Sequence, residues 1–370
     1  MEEKRKPNVL VISDYRRFQS TRPEAVIFIE LAKRGYPITI MSFPDSAHRQ
    51  AFEEAGIDFI PFHPTKKFHR ESVKKIRECL IEKNIEVLHC YNSKASANGI
   101  KAVKGLDVKL VLYRGYPGNV HWFDPTAYFK YLNPRVDAII CNSQGVEDHF
   151  HKQPFFDKSK TYTICKGHDP EWFSNIQELN LREKFNLPAD AFVMGTVANN
   201  RSEKGIPFLL RSLGKLPPQL PIHHILIGDK MDSKENLKLI KKLRLEEKVH
   251  FSGYQPKVLP LVKGLDVFIL SSIRAESITK SVIEAMSLGV ATIITDLPGN
   301  RELVDHGKSG LIVERNNPDD LARAILNLYQ NPEVREKLSA EAPKHIKSRL
   351  HRLQTVEGME NLYRSLFESH

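Results

Sequence analysis

Two glutamates, Glu276 and Glu284, lie eight positions apart where an apolar stretch meets a helical one. Ionised carboxylates only accept hydrogen bonds, so this pair suits a ligand with several hydroxyl groups. The preceding run, Val267–Leu270, is short and apolar, which is typical of a strand buried on both faces. Gly289 occupies a place where helices commonly end in the left-handed conformation, and residues 290–295 predict the next strand.

This strand–helix–strand unit predicts parallel strands with a right-handed crossover, and it places the loop 271–280 at a carboxyl end. Ligands of open parallel sheets bind outside that end. The following helix directs its N-terminal N–H groups there, which favours an anion such as a diphosphate. The loop therefore predicts a site for a ligand with both phosphates and hydroxyls, of which a nucleotide sugar is one.

A structural role is the alternative for both glutamates. Ser281 and Glu284 match a capping box, in which Ser281 would be the N-cap and Glu284 would bond back to its backbone N–H. Glu276 would then be a solvated loop charge. Both interpretations stay open at the level of the sequence.

The same residues resemble the donor-site signature of family 4 retaining glycosyltransferases, which have the GT-B fold. The resemblance rests on Glu276 and Glu284, on the Ala-Met-Ser-Leu-Gly that follows, and on residues 296–302. Four other segments are similar to the family's interdomain segment, phosphate-contacting loop, base-contacting strand and closing turn: 163–173, 195–205, 249–254 and 306–313. The C-terminal half matches almost throughout, and the N-terminal half mainly in its pattern of elements.

The resemblance implies roles for the residues of the donor loop. Glu284 would accept hydrogen bonds from the ribose hydroxyls. Glu276 would hold the transferred sugar together with the backbone of the four residues that follow it, which are Ser277, Ile278, Thr279 and Lys280.

The phosphates and the base would be bound by other segments of the C-terminal half. Arg201 and Lys204 would clamp the diphosphate and stabilise the charge of the leaving group. Asn199 lies nearer the usual place of the family's arginine, and Gly253 and Tyr254 match the base-contacting loop. Family members of this kind are metal-independent, so the resemblance implies no metal and no cofactor besides the nucleotide-sugar substrate.

The first half departs from the family pattern at two loops. A Gly-Gly pair often follows the first strand, but this chain has Arg16, Arg17 and Arg22 there. These arginines would bind an acidic acceptor, or they form an ordinary surface cluster. Where many members have a histidine, this chain has Arg114, and His121 follows. Both would stabilise developing charge or position the attacking hydroxyl; the alternative is a packed turn.

Length and periodicity predict two α/β domains, since the chain has 370 residues, of which 41% are hydrophobic. Together with the resemblance they predict GT-B architecture: two Rossmann-like, doubly wound domains facing a central cleft, with a C-terminal helix crossing back to the first domain. We place an acceptor-binding domain at 1–166, completed by about 351–370, and a nucleotide-sugar-binding domain at 167–350. The strands predicted in the first half are 8–13, 38–41, 57–61, 87–90, 109–113, 138–141 and 162–165.

The charge balance bears on partners and compartment. The chain has 55 basic and 45 acidic residues, a net charge of +10. The stretch 63–81 is the densest in basic residues and has helical spacing, which predicts contact with an anionic membrane or an ordinary solvated helix face. No nucleic-acid-binding module is visible. The cysteines lack metal-ligand spacing, and no signal peptide is recognised, so we expect a cytoplasmic protein, peripheral on the inner face of the membrane if 63–81 binds lipid.

The function predicted is a hexosyltransferase-type, retaining transfer from a nucleotide-diphosphate sugar to a hydroxyl of a glycan or lipid-linked acceptor, in cell-surface polysaccharide or lipopolysaccharide synthesis. A GT-B nucleotide-sugar epimerase and a non-catalytic nucleotide-sugar-binding protein are the alternatives. A nicotinamide enzyme is disfavoured because no Gly-x-Gly-x-x-Gly follows the first strand.

Overall fold

The computed structural model describes residues 5–118 and 120–368. The chain divides into two compact units. Unit 1 consists of the described residues of Met1–Asp169 and Leu350–His370, and unit 2 is Pro170–Arg349. No helix in the described part of the chain is long and apolar enough to cross a membrane.

The strands and helices alternate along most of the chain. The strands are β1 (Val9–Ile12), β2 (Ile38–Ser42), β3 (Asp58–Pro61), β4 (Val87–Cys90), β5 (Lys109–Arg114), β6 (Ala138–Cys141), β7 (Thr161–Thr163), β8 (Phe192–Val197), β9 (Ile222–Ile227), β10 (Val249–Gly253), β11 (Val267–Leu270), β12 (Ala291–Thr295) and β13 (Leu311–Val313). The helices are α1 (Phe18–Lys33), α2 (Arg49–Glu54), α3 (Arg70–Glu82), α4 (Ser93–Ala102), α5 (Gln144–His151), α6 (Leu181–Lys184), α7 (Ile206–Leu213), α8 (Lys234–Lys242), α9 (Leu259–Lys263), α10 (Lys280–Ser287), α11 (Pro298–Arg301), α12 (Pro318–Gln330), α13 (Pro332–Arg349) and α14 (Arg352–Ser365).

Unit 1 is built on a parallel sheet with the strand order β3-β2-β1-β4-β5-β6-β7. Strand β1 is apolar throughout because its side chains are buried on both faces of this sheet. Leu10 and Ile12 pack into one hydrophobic cluster, and Val9 and Val11 pack into another. Since neighbouring side chains of a strand point to opposite faces, both faces of this sheet are covered, as in a doubly wound domain.

Helix α1 begins earlier than the sequence pattern predicts. Pro23 is typical of a first helical position, which predicts a start at that residue. The helix instead begins at Phe18, and Pro23 lies in its second turn. There the proline removes the hydrogen bond that the Gln19 carbonyl would accept, and the helix nevertheless continues to Lys33. The predicted end is confirmed, because Gly35 has a φ of +86° just after the helix.

The C-terminal helix α14 packs against α1 within unit 1. Arg34 at the end of α1 forms an ion pair with Glu360 at 2.6 Å. Tyr363 is fully buried, and its hydroxyl lies 2.8 Å from Nδ1 of His89 in β4. The last helix of the chain therefore completes the core of the unit that contains the first strand.

Unit 2 has a second parallel sheet with the order β10-β9-β8-β11-β12-β13. Its order changes direction at β8, which pairs with β9 on one side and β11 on the other. Because the strands are parallel, the loops after β8, β10, β11 and β12 all emerge at the same edge of the sheet. Ligands of open α/β sheets bind at such an edge, beside the change in strand order.

Candidate active site

An ion pair joins two of the predicted site residues at the carboxyl edge of unit 2. Nζ of Lys204, in the loop after β8, contacts Oε1 of Glu276, in the loop after β11. The same Glu276 oxygen accepts a hydrogen bond from Ser272 at 3.2 Å, and its other oxygen accepts one from Thr279 at 3.1 Å. The side chains of Lys204 and Glu276 are 21% and 13% exposed. The structure thus brings a cation and a fixed carboxylate, 72 residues apart in the chain, into one site.

Backbone contacts hold these two loops together. The hydroxyl of Ser271 donates to the Lys204 carbonyl at 2.9 Å, and the N–H of Ile273 donates to the Glu203 carbonyl at 2.8 Å. Gly205 has a φ of +65°, and a Cβ at this position would lie 2.1 Å from the Ser271 carbonyl oxygen. Glycine is therefore needed for the close approach that places Lys204 beside Glu276.

We predict that Gly205→Ala destabilises unit 2 by about 3 kcal/mol or more, because the left-handed backbone and the clash both oppose a methyl group. Gly307→Ala is the matched control: Gly307 has a φ of +75° and no atom within 4 Å of a built Cβ. The control should lose only about 1–2 kcal/mol. Chemical denaturation of both variants measures the difference. Equal losses would show that the approach of the two loops is not tight.

Asn300, in α11, supports Glu276 through Thr279. The Thr279 hydroxyl lies 2.7 Å from the Asn300 side-chain oxygen and 3.1 Å from Glu276 Oε2. Asn300 is fully buried, and its Nδ2 has no partner among the described residues. A hydroxyl has one hydrogen, so both contacts are satisfied when the amide is turned to donate from Nδ2 to Thr279, which then donates to Glu276. Asn300 is not among the predicted site residues, although it lies in the 296–302 segment of the donor-site signature.

Glu284 is not part of a capping box. Helix α10 begins at Lys280 with Thr279 as its N-cap, and no side chain caps it. Ser281 lies inside the helix, so the capping alternative is wrong. Glu284 is buried, and its Oε1 contacts Nζ of Lys280 one turn earlier. A nucleotide-binding role for Glu284 stays a prediction.

The remaining residues of the predicted donor site lie around this edge without joining the ion pair. Arg201 is 67% exposed, and its guanidinium is 4.0 Å from Glu203 rather than beside Glu276. Tyr254 is exposed, and it follows Gly253, which has a φ of +66°. Of the other predicted residues, Ser277 and Thr279 are buried, Ile278 and Lys280 are half-buried, and Asn199 is exposed.

In unit 1, Arg114 braces its own loop. It is buried at the end of β5; its Nε donates to the Tyr116 carbonyl at 2.9 Å, and another of its N–H groups donates to the Gly118 carbonyl. The guanidinium also lies over the Tyr116 ring, 3.9 Å from its centroid. His121 stacks on Phe123 at 5.1 Å. These contacts fit the packed-turn alternative, and a catalytic role for Arg114 and His121 stays a prediction.

The three predicted acceptor arginines differ in their surroundings. Arg16 is bound bidentately by Asp14, at 2.9 and 2.7 Å, and this contact lowers the pKa of Asp14. Arg17 forms no ion pair within the described part of the chain. Burial lowers the pKa of Arg22. A pocket of about 490 Å³ is lined by Asp14, Arg16, Arg17, Ser20 and Asp45. Arg16 and Arg17 therefore share a pocket with two aspartates, so this pocket is not a purely cationic site.

A buried ion pair lies at the carboxyl edge of the unit 1 sheet. Lys166, after β7, is 2.8 Å from Glu24 of α1, whose side chain is 3% exposed. Its ammonium also lies 4.5 Å from the centroid of the Tyr113 ring. Burial alone would lower the pKa of Lys166, but the Glu24 carboxylate and Tyr113 outweigh it and raise that pKa. No pattern in the sequence indicates this pair, whose members are 142 positions apart.

Within residues 5–118 and 120–368, no three His, Cys, Asp or Glu side chains are grouped so that they would hold a metal ion. The groups available at the edge of unit 2 are those of a phosphate and hydroxyl site: ammonium groups, carboxylates and hydroxyls. Lys204 and Lys280 supply the positive charge, and Glu276 and Glu284 the acceptors.

Comparison with known proteins identifies relatives of both halves. The family model "Glycosyl transferases group 1" matches residues 177–345, and "Glycosyltransferase Family 4" matches residues 27–172. The O-antigen biosynthesis glycosyltransferase WclY of Escherichia coli is 27% identical over 231 residues, which are 62% of this chain and 62% of that protein. The chain thus matches less than two thirds of the length of this curated relative.

Solved structures show the same fold at low identity. A glycosyltransferase from Rickettsia africae superposes with a TM-score of 0.82 at 18% identity, over 99% of this chain and 100% of that one. HepE of Anabaena in complex with UDP superposes with a TM-score of 0.78 at 21% identity, over 97% and 100% of the two chains. The fold, the two family models and the resemblance agree: the chain belongs to the group 1, family 4 glycosyltransferases and has their GT-B fold.

Proposed function

We propose that the chain transfers a hexose from a nucleotide-diphosphate sugar to a hydroxyl group of a glycan or lipid-linked acceptor, with retention at the anomeric carbon. The observation that carries the proposal is the contact of Lys204 with Glu276 at the carboxyl edge of the unit 2 sheet. A donor of this class needs a cation for its diphosphate next to a carboxylate for its sugar hydroxyls. The HepE structure that shares this fold holds UDP.

In the proposed reaction the acceptor oxygen bonds to the anomeric carbon on the face from which the diphosphate departs. The electron pair of the broken carbon–oxygen bond leaves with the diphosphate, and the acceptor proton passes to one of its phosphate oxygens. Lys204 and Arg201 stabilise the charge that accumulates there. Glu276 binds and orients the sugar hydroxyls, so no protein nucleophile takes part and we expect no requirement for a metal.

The hydrogen bonds around Glu276 give this carboxylate a fixed orientation before the donor arrives. Ser272 holds one oxygen, and Thr279, supported by Asn300, holds the other. Binding residues that are already oriented cost little reorganisation when the ligand binds. Lys204 contacts the same carboxylate. We propose that its ammonium turns toward the diphosphate while Ser272 and Thr279 keep the carboxylate in place.

The acceptor and cellular role are proposed from chemistry and likeness. WclY, which the chain resembles in sequence, acts in O-antigen biosynthesis. We propose a cytoplasmic role in cell-surface polysaccharide or lipopolysaccharide synthesis, where sugars are added to glycan or lipid-linked hydroxyls. Transfer of a radiolabelled sugar to extracted lipid-linked or polysaccharide acceptors tests this role. Donor hydrolysis without transfer to any of them would contradict it.

The donor site is tested by thermal unfolding with a panel of nucleoside diphosphates, because a ligand that binds the native state raises its stability. One of them, such as UDP, GDP or ADP, should raise the midpoint in a concentration-dependent manner. The matching nucleotide sugars are then tested for hydrolysis and for transfer. A chain that none of these ligands stabilises would contradict the proposal. Turnover of the donor to a stereoisomer without an acceptor would point to the epimerase instead.

We predict that Glu284→Gln weakens binding of the stabilising nucleoside diphosphate about tenfold, because an amide is a poorer acceptor for ribose hydroxyls than a carboxylate. The fold should survive, since the change conserves volume and the helix N-terminus does not depend on this side chain. Calorimetry measures the affinity. Glu336→Gln, an exposed change in α13 of the same unit, is the control. Unchanged affinity in Glu284→Gln would contradict the role given to this residue.

A further inference from the structure

Unit 2 contains a cavity of about 630 Å³ at the edge of its sheet opposite the candidate active site. Its lining comes from two segments, 213–224 and 243–248, which lead into β9 and β10. Because β9 and β10 are parallel, both strands begin at this edge and end at the edge that carries the donor loops. The volume lies within the range of cavities that bind small molecules, so the cavity is large enough for a ligand of its own.

Apolar side chains form most of the cavity wall. Five leucines, one isoleucine and two prolines line it. Helices α7 and α8 both end here. Gly214, directly after α7, approaches Leu243, directly after α8, so closely that a built Cβ would lie 3.1 Å from the leucine side chain. Lys248 joins the two segments, because its Nζ donates to the Leu220 carbonyl at 2.9 Å. The wall is therefore held in place by the fold itself, and it favours an apolar ligand.

One buried polar side chain lies in this apolar wall. His224 of β9 lines the cavity and is fully buried. Its Nε2 lies 3.1 Å from the Thr196 hydroxyl, which donates its hydrogen to the Ile269 carbonyl at 2.8 Å. Since that hydrogen is used, Nε2 has to carry the imidazole proton and donate to the hydroxyl oxygen. Nδ1 is then an acceptor with a free lone pair, and it has no hydrogen-bond partner among the described residues.

The position of His224 in the sheet is unusual for a histidine. Its neighbours on the same face of β9, Ile222 and Leu226, belong to the hydrophobic core of unit 2. A strand that is buried on both faces normally has apolar residues at such a position. Burial lowers the pKa of His224 to about 3, so the ring is neutral near pH 7, and its unpaired acceptor lowers the stability of the unit. A residue that breaks the local pattern at a cost in stability often serves a functional site.

The charges beside the cavity balance one another. Arg244 and Lys248 are among its lining residues, and so are Glu246 and Glu247. Two positive and two negative side chains give no net attraction for an ion of either sign. The cavity therefore favours a neutral ligand, in contrast to the candidate active site, which has ammonium groups for a diphosphate.

We propose that this cavity binds a neutral, largely apolar molecule through a hydroxyl or N–H group that donates to Nδ1 of His224. The hydrogen bond would pair the acceptor that the fold leaves unpaired, and the leucines would cover the apolar part of the molecule. Carbohydrates and nucleotides do not fit this description, since they carry many polar groups that the wall could not pair. The inference adds a second binding site to unit 2 and does not depend on the proposed function.

Indole and benzofuran test the inference, because they have nearly the same shape but only indole has a hydrogen-bond donor. Saturation-transfer NMR with the full chain measures the affinity of each compound. Indole should bind about five- to tenfold more tightly than benzofuran, which is the usual effect of one hydrogen bond to a buried acceptor. Binding of neither compound would mean that the cavity holds water only, and equal binding would mean that His224 is not used. Either result would overturn the inference.

His224→Leu tests the acceptor directly. Leucine removes Nδ1 but leaves the Thr196 hydroxyl bonded to Ile269. Indole should lose its advantage over benzofuran in this variant, so that the two compounds bind within about twofold of each other. A change in the ratio of two affinities cannot come from a general loss of stability. A variant that still prefers indole as the wild type does would refute the role of His224.

Leu220→Trp tests the place of binding, because Leu220 is a half-buried lining residue and a larger side chain there should fill the cavity. The bond from Lys248 uses the Leu220 backbone carbonyl and stays available. The variant should bind indole about tenfold more weakly or worse. The matched control is Leu237→Trp, at an exposed leucine of α8 that does not line the cavity, and it should bind indole as the wild type does. Equal binding by both variants would place indole elsewhere and overturn the inference.

A nucleoside diphosphate separates the cavity from the candidate active site. One that raises the unfolding midpoint should neither displace indole nor lose its effect in Leu220→Trp, because the two sites lie at opposite edges of the sheet. Displacement of indole by the nucleotide would assign indole to the candidate active site and overturn the inference. Indole binding that persists when no nucleoside diphosphate stabilises the chain would refute the proposed function alone.

Discussion

Lys204→Met is expected to abolish most of the thermal stabilisation by a nucleoside diphosphate and to reduce glycosyl transfer about 10²–10³-fold, the usual effect of losing one preorganised charge stabiliser. Methionine keeps the length and apolar character of the lysine stem but removes the ammonium. The diphosphate then loses the cation that stands beside Glu276. Steady-state kinetics with the donor found in the panel, and calorimetry with its nucleoside diphosphate, measure the two effects.

The same change should also destabilise unit 2, since it leaves the largely buried Glu276 carboxylate without its cation. We expect a loss of about 1–3 kcal/mol, mostly from this unpaired group. Glu276→Gln added to Lys204→Met removes the charge and should restore much of that stability. Activity should not return in the double variant, because neither the phosphate cation nor the sugar carboxylate is present.

Lys204→Arg is the control that keeps the positive charge but replaces the ammonium by a planar guanidinium. It should keep stability close to that of the wild type and retain part of the nucleotide affinity. If Lys204→Met bound the nucleoside diphosphate as tightly as the wild type, Lys204 would only support Glu276. In that case the double variant would also show nucleotide affinity at the wild-type level.

Local patterns predicted most of the fold because the relevant physics is local. Strand β11 has the predicted bounds, because a short apolar run between Asp266 and Ser271 is well suited to a strand that is buried on both faces. Gly289 has a φ of +72°, the conformation expected at a helix C-terminus. The predicted start of helix α1 is wrong, because the preference of proline for the first helical position is statistical and does not exclude Pro23 from the second turn.

Contacts between distant segments could not be predicted in the same way. The resemblance predicts that Lys204 and Glu276 belong to one site. It does not predict that the two side chains form an ion pair. The contact of Asn300 with Thr279 depends on how α11 packs beside the donor loop, and no periodicity reports this. Arg114 was expected to face a substrate, yet its donors are taken by carbonyls two and four residues ahead.

Acidification below about pH 6 is expected to destabilise both units steeply. Burial lowers the pKa of His89 and of His224 to about 3, and the charges of Lys166 and His250 add to this effect. Burial also lowers the pKa of His63 and His223 to about 4. An unfolded histidine takes up its proton near pH 6.5, whereas these four remain neutral in the native state. The unfolded state therefore binds more protons as the pH falls from 6.5 towards 3–4.

The stability that these neutral histidines represent is complete above pH 6.5 and is lost below it. Each contributes about 1.4 kcal/mol of destabilisation per pH unit in that window. Two of the four, His63 and His89, lie in unit 1 and the other two in unit 2, so each unit loses about 4 kcal/mol by pH 5. This is a large part of the stability of a domain. Thermal unfolding should show transitions that move steeply downward between about pH 6 and pH 4.5. Transitions that stay level across this range would contradict the prediction.

His224→Leu separates this effect from general acid denaturation. His224 is in contact with the Thr196 hydroxyl at 3.1 Å, but that hydroxyl also donates to the Ile269 carbonyl at 2.8 Å, so leucine leaves it bonded. The variant should flatten the pH dependence of unit 2 by about 1.4 kcal/mol per pH unit. His89→Leu should flatten that of unit 1 in the same way, yet lower its stability at every pH, because it leaves the buried Tyr363 hydroxyl without its imidazole partner. A variant of either kind with an unchanged slope would show that its histidine is protonated in the native state.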